Sequence, residues 1–181
     1  GGGDTIILPG GTYVLSIEGT LEDANATGDL DILADVSILG AGAQGTIIDA
    51  AGIDRVIQVG VADSSGTDTC ENPDVAASLY MADLTVRGGS SEDYDYSTNR
   101  RHCGGGILVA PESVLEMDRC VVSENYSGSH GGGISNWAAT LIMDGCTVSE
   151  NASWQGGGGI ANGYQCAATT TLTNTTLSGN G

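Results

Sequence analysis

The second half of the chain repeats itself, and no other feature constrains its fold as much. Gly104-Gly105-Gly106-Ile107, Gly131-Gly132-Gly133-Ile134 and Gly157-Gly158-Gly159-Ile160 are one unit three times, with the isoleucines 27 and 26 residues apart. A second unit, Leu115-Glu116-Met117-Asp118-Arg119-Cys120-Val121-Val122-Ser123-Glu124-Asn125, recurs from Leu141 to Asn151 at a shift of 26 and from Thr170 to Asn180 at a further 29. A degenerate earlier copy runs from Leu79 to Gly89. A fixed period of this length is the signature of a solenoid, in which each repeat buries its apolar face only against its neighbours.

Within a repeat the apolar positions alternate, as Leu115/Met117 and then Cys120/Val122, with a break of parity at Asp118-Arg119. Alternation is the period of a strand, and a parity break is a bend after which the inside face resumes. The glycine clusters oppose helix. The pattern predicts an all-β chain with about three short strands per ~26-residue coil, one each at Gly-Ile, Leu-x-Met and Cys-x-Val, stacked as a parallel β-helix at about 4.8 Å per coil. The first half follows the same rhythm less regularly, with strand-like runs at 5–8, 12–17, 31–33, 36–39, 46–48 and 55–59. The whole chain, 1–181, reads as one β-solenoid domain. Insertions near 60–76 and 90–102 interrupt the rhythm and are expected to protrude as loops, where repeat proteins often carry function.

Composition narrows the partners. With 23 acidic and 5 basic residues, all of the latter arginine, the net charge is −18. A chain this acidic has no basic stripe for nucleic acid, and anionic membrane surfaces repel it. No apolar run approaches the ~20 residues of a membrane span, and no charged leader precedes a hydrophobic stretch. Both ends read as cut from something longer.

Gly3-Asp4-Thr5-Ile6-Ile7-Leu8-Pro9-Gly10-Gly11-Thr12-Tyr13, Glu22 to Ile32, Thr46-Ile47-Ile48-Asp49 and the Gly-Gly-Gly-Ile and Ser-Glu-Asn repeats resemble bacterial right-handed parallel β-helix repeat proteins of the secreted or surface-anchored kind. The repeats are also similar to those of chlamydial polymorphic outer-membrane proteins. The resemblance covers nearly the whole chain, although the upstream Cys-Ser-Leu-Arg-Glu-Ala motif and the repeat phenylalanine are missing. It implies a single-stranded right-handed solenoid in an extracellular or cell-surface setting, and no particular activity.

Several residues stand out as candidate sites. Asn125, Asn151 and Asn180 share one repeat position, where stacked amides can bond along the coil axis as a structural ladder. Asn25 and Asn174 begin Asn-x-Thr patterns and are the candidate glycosylation acceptors. Asp23, Asn25, Thr27, Asp29 and Asp31 place oxygens at alternate positions, with Gly28 sixth and Leu30 eighth, as in a calcium loop; Ala34 stands where the bidentate glutamate would be, so a solvated acidic turn is the alternative. Cys120 and Cys146 occupy equivalent inward positions and read as packed thiols. Cys70 and Cys103 lie in the insertions, where a bridge would tie them together in an oxidising compartment. For catalysis, only Arg100, Arg101 and His102, with Arg87 and Asp93 or Asp95, could supply charged groups, and no hydrolase signature accompanies them. His130 reads as a loop residue. Trp137 and Trp154 read as wall packing, with stacking on a sugar or a subunit as the alternative.

Three readings of function follow. The first is an extracellular structural solenoid, assembling head-to-tail because Ser178-Gly179-Asn180-Gly181 followed by another copy's Gly1 to Ile6 mimics the internal repeat. The second is an adhesin or glycan-binding module acting through the insertions. The third is a polysaccharide lyase or hydrolase. In the first, the acidic coils are expected to need salt, cations or strong edge pairing to offset repulsion.

Overall fold

A computed structural model describes residues 3–20, 23–62, 73–91, 103–163 and 166–181. Among them there are twenty strands and no helix, and every strand pairs in parallel with its equivalent one coil away. Numbered along the chain, a first wall holds β1 (Asp4–Ile7), β4 (Val36–Leu39), β7 (Ser78–Ala82), β11 (Val114–Asp118), β15 (Thr140–Asp144) and β19 (Thr169–Thr173). A second holds β2 (Gly11–Val14), β5 (Thr46–Asp49), β8 (Thr85–Arg87), β12 (Val121–Ser123), β16 (Thr147–Ser149) and β20 (Thr176–Ser178). The third holds β3 (Leu30–Ile32), β6 (Ile57–Val59), β10 (Ile107–Val109), β14 (Ile134–Asn136) and β18 (Ile160–Asn162). The chain is a parallel β-solenoid with the three strands per coil that the periodicity predicts. The later coils add a short fourth ledge, β9 (Ser90–Ser91), β13 (Tyr126–Ser127) and β17 (Ala152–Ser153), that alternation alone did not reveal.

Register places like residues in rows. In the first wall Ile6, Ile38, Met81, Met117, Met143 and Leu172 stack in line, and in the second Tyr13, Ile48, Val86, Val122, Val148 and Leu177. The middle members of both rows are buried, and with Ile57, Ile107 and Ile134 of the third wall they form one continuous core. Burying apolar side chains in this way is the main stabilising term, roughly 1.5–3 kcal/mol for each large one.

The first two walls meet at a bend whose corner residue is left-handed in the last four coils: Asp83 (φ 58°), Arg119 (φ 51°), Gly145 (φ 62°) and Asn174 (φ 48°). The parity break at Asp118-Arg119 is this corner. The residue that follows, Leu84, Cys120, Cys146 or Thr175, fills the bore. Glycine is needed where coils approach most closely: a Cβ on Gly132 would lie 2.1 Å from the carbonyl oxygen of Ala152, and one on Gly105 would lie 2.1 Å from that of Tyr126.

Two expectations change. Ile6 lies in the first wall, in register with Ile38, and not in the Gly-Ile wall, so it is not the counterpart of Ile107, Ile134 and Ile160. Ser90 and Ser91 belong to the ledge, so the second insertion begins after them. The first insertion leaves the wall through an antiparallel bridge between Val61 and Val75 (N–O 2.8 and 3.2 Å). Residues 63–72 and 92–102 lie outside the described residues, and with them Cys70, Asp93, Asp95, Arg100, Arg101 and His102.

Candidate functional site

A cluster of charged groups, Asp23, Asp29, Asp31, Asp54 and Arg55, surrounds the acidic turn at 23–31, where it lies against β6. Asp29 Oδ2 sits 2.9 Å from Arg55 Nε, and both side chains are almost fully buried. Arg55 is held from two further sides: its Nη1 donates to the Cys103 carbonyl at 3.2 Å, and its backbone N–H donates to Asp54 Oδ1 at 2.7 Å. Burial pushes the Asp29 carboxyl up to about 7; Arg55 opposes this, while Asp54 and Asp31 add to it. A buried carboxylate with one cation and two like charges nearby takes up a proton more readily than one in water.

Asp23, Asn25, Asp29 and Asp31 each bond to another group of the protein. Asp31 and Asn25 clamp the turn: Asn25 N donates to Asp31 Oδ2 (2.9 Å), Asp31 N donates to Asn25 Oδ1 (2.8 Å), and Asn25 Nδ2 donates to the Asp31 carbonyl (2.7 Å). Asp23 Oδ1 accepts from Gln58 Nε2 at 2.7 Å. Thr27 packs against Gly19, where a Cβ would fall 2.0 Å from its Oγ1. Among the described residues no three His, Cys, Asp or Glu side chains are gathered so as to hold a metal ion. The Asn25–Asp31 clamp and the Asp29–Arg55 pair engage oxygens of this turn with groups of the protein itself.

The three repeat asparagines form a column. Asn151 Oδ1 accepts from Asn125 Nδ2 (2.9 Å) and from Asn125 N (3.1 Å), and Asn180 Oδ1 accepts from Asn151 Nδ2 (3.0 Å) and Asn151 N (3.1 Å). Each amide also donates to a backbone carbonyl, Val86, Val122 and Val148 in turn. The column ends at Gly89, whose N–H donates to Asn125 Oδ1 at 2.9 Å. The bends of the last four coils are thus tied to one another through side-chain amides, buried at Asn125 and Asn151.

The cysteines divide differently from the expectation. Cys103 is a free, buried thiol directed at Ser129 Oγ (3.6 Å), so it does not bridge to Cys70. Among the described cysteines, Cys166 is disulfide-bonded. Cys120 and Cys146 are free and stacked, the N–H of Cys120 donating to Cys146 Sγ at 3.4 Å. The Cys146 side chain, with burial, pushes the Cys120 thiol well up. Thr175 continues their column and, like Cys120 and Cys146, donates to the carbonyl two residues before it.

The remaining candidates are scattered. Arg87 is paired with Asp49 at 2.9 Å. Ser129 Oγ lies 3.0 Å from His130 Nδ1. Asn174 is exposed, with its amide on Asp144 Oδ1 at 3.0 Å, whereas the Asn25 amide nitrogen is occupied by the clamp. Trp137 is buried and Trp154 is 80% exposed. The Asp29–Arg55 pair escaped sequence reading, because it joins two segments of the irregular first half that share no motif. No protein-family model, curated protein or solved structure matches this chain.

Proposed function

We propose that this chain is a non-enzymatic structural β-solenoid of a bacterial cell surface, a stiff extracellular segment of the kind its repeats resemble. The observation that carries the reading is the column Asn125–Asn151–Asn180, which spends its side chains on linking coils. The stacked Cys120–Cys146–Thr175 column and the aligned apolar rows do the same. The disulfide at Cys166 supports an oxidising compartment. Protease shaving of intact source cells, followed by peptide identification, tests the setting. Release of peptides from this chain by externally added protease is expected, and recovery from the cytosolic fraction alone would overturn the reading.

A second reading, a binding module, is favoured by Trp154, which is 80% exposed just beyond the ledge strand β17. An apolar ring with a polar edge, held in solvent, suits a sugar face or a protein surface. Glycan-array binding that is lost in Trp154→Ala, with melting unchanged, would establish it.

A further inference from the structure

We propose that the bore, at the corner between the first and second walls, binds one soft monovalent cation of the copper(I) class, held by the sulfurs of Cys120 and Cys146 with the thioethers of Met117 and Met143. The site adds to the structural-solenoid reading and does not depend on it.

Sulfur is concentrated at this corner. The chain has three methionines, Met81, Met117 and Met143, and all three stack in one inward row of the first wall. Cys120 and Cys146 follow Met117 and Met143 by three residues, across the left-handed corner residues Arg119 and Gly145. All four belong to the buried core. The run Met-Asp-x-Cys thus delivers a thioether and a thiol to the bore in two successive coils. The coil on one side has Met81 and Leu84 at these positions, and the coil on the other has Leu172 and Thr175.

The two thiols are in line. Asp118 pairs with Asp144 and Val121 with Thr147, so Cys120 stacks on Cys146. Each thiol donates to the carbonyl two residues before it, Cys120 to Asp118 at 3.5 Å and Cys146 to Asp144 at 3.3 Å, so the sulfurs hold the same orientation one coil apart. A coil spacing of about 4.8 Å is close to twice a metal–thiolate bond of about 2.3 Å. A cation between the sulfurs is therefore reached from both without a shift of backbone.

The donors select the cation. Thiolate and thioether ligands favour copper(I) over the hard cations that carboxylates hold. The two carboxylates of the corner are engaged elsewhere, Asp118 with Arg119 and Asp144 with Asn174. Charge balances by exchange. The Cys146 S–H bond breaks as the sulfur–metal bond forms, and the proton leaves to solvent, so one positive charge replaces another and the apolar bore stays neutral. Cys146 suits this role, because its sulfur accepts the Cys120 N–H at 3.4 Å and hydrogen bonding to Cys120 holds its thiol below the ordinary range.

Silver(I), a redox-inert cation of the same softness, is the probe. The full chain, its disulfide intact, is refolded from urea with silver(I), so that burial of the site does not limit entry. Loosely held metal is then removed by desalting through thiosulfate, and native mass spectrometry counts what remains. One silver ion per chain is expected in wild type and in Cys103→Ser, and none in Cys120→Ser or Cys146→Ser. Met117→Leu and Met143→Leu are expected to release silver at lower thiosulfate, and X-ray absorption at the silver edge to show sulfur neighbours. These substitutions follow what the fold already holds at the same positions, a hydroxyl at Thr175 and a leucine at Leu172, and unchanged melting of the metal-free variants checks that they fold. Wild type that retains no silver overturns the proposal. So does equal retention by the Cys120→Ser/Cys146→Ser double variant, which places the metal elsewhere, and so does thiosulfate release unchanged in both methionine variants. None of these outcomes bears on where shaving finds the protein, so the two readings fail separately.

Discussion

Arg119 reaches back one coil to Asp83 and grips it with both arms of its guanidinium, Nε to Oδ1 at 2.9 Å and Nη2 to Oδ2 at 2.7 Å. The two residues hold the same left-handed corner in successive coils. Arg119 also meets its own neighbour Asp118. The forked hydrogen bonds hold the Asp83 carboxyl below its ordinary range. Stability from this link is therefore present above about pH 4, the ordinary aspartate range, and is lost as pH falls through the lowered value. Urea unfolding between neutral and strongly acid pH is expected to show a steeper acid loss in wild type than in Arg119→Gln. Because the pair is solvent-exposed, the difference is small and shrinks with salt.

Asp29 works in the opposite direction. Its carboxyl is raised from 3.8 to about 7 by burial, so the folded chain keeps a proton that the unfolded chain gives up. Stability from this residue is full below about pH 4 and declines as pH rises to about 7, by up to roughly 4 kcal/mol. Asp29→Asn removes that slope, which a urea series from pH 4 to pH 8 would read. A wild type and variant with parallel profiles would refute the assignment.

Asn151 is the middle rung of the asparagine column. It accepts from both amide groups of Asn125 and donates to Val122 and Asn180. Asn151→Ala leaves buried donors and acceptors unpaired in two coils, at about 1–3 kcal/mol for each such group. Asn180→Ala breaks only one side of the column and is expected to cost less. Denaturant midpoints of the two variants give the comparison.

Gly132 and Gly45 separate close approach from mere flexibility. A Cβ on Gly132 meets a carbonyl oxygen at 2.1 Å, whereas on Gly45 its nearest neighbour is 3.6 Å away. Gly132→Ala is expected to lower stability by about 1–3 kcal/mol or more, and Gly45→Ala to stay within about 0.5 kcal/mol of wild type. Thermal melts would show the difference.

Thiol chemistry gives an independent check of the core. Cys103, Cys120 and Cys146 are buried and free, and Cys166 is disulfide-bonded. Alkylation of the native protein is expected to spare the three free thiols, which should label only after unfolding. Non-reducing peptide mapping should find Cys166 in a cross-linked peptide. A linked Cys103 would contradict the structure.

The sequence by itself determined the coil. Alternation assigned Leu115, Met117 and Val122 to the interior, the parity break located the corner at Arg119, and the shift of 26 aligned Asn125 with Asn151. These are local, periodic properties, and identical residues at a fixed spacing have one way to stack. The tertiary structure alone decided what the period does not encode. Coils of unequal length in the first half left the wall of Ile6 open until packing matched it to Ile38. The turn at 23–31 had the spacing of a cation loop, yet Asp29 went to Arg55, 26 residues along the chain in an adjacent strand turn, and Asp31 went to Asn25. A charged or thiol side chain takes the partner that the fold brings within about 3 Å. In the first half that distance depends on how coils of unequal length stack and how the turn at 23–31 closes, which no fixed spacing encodes.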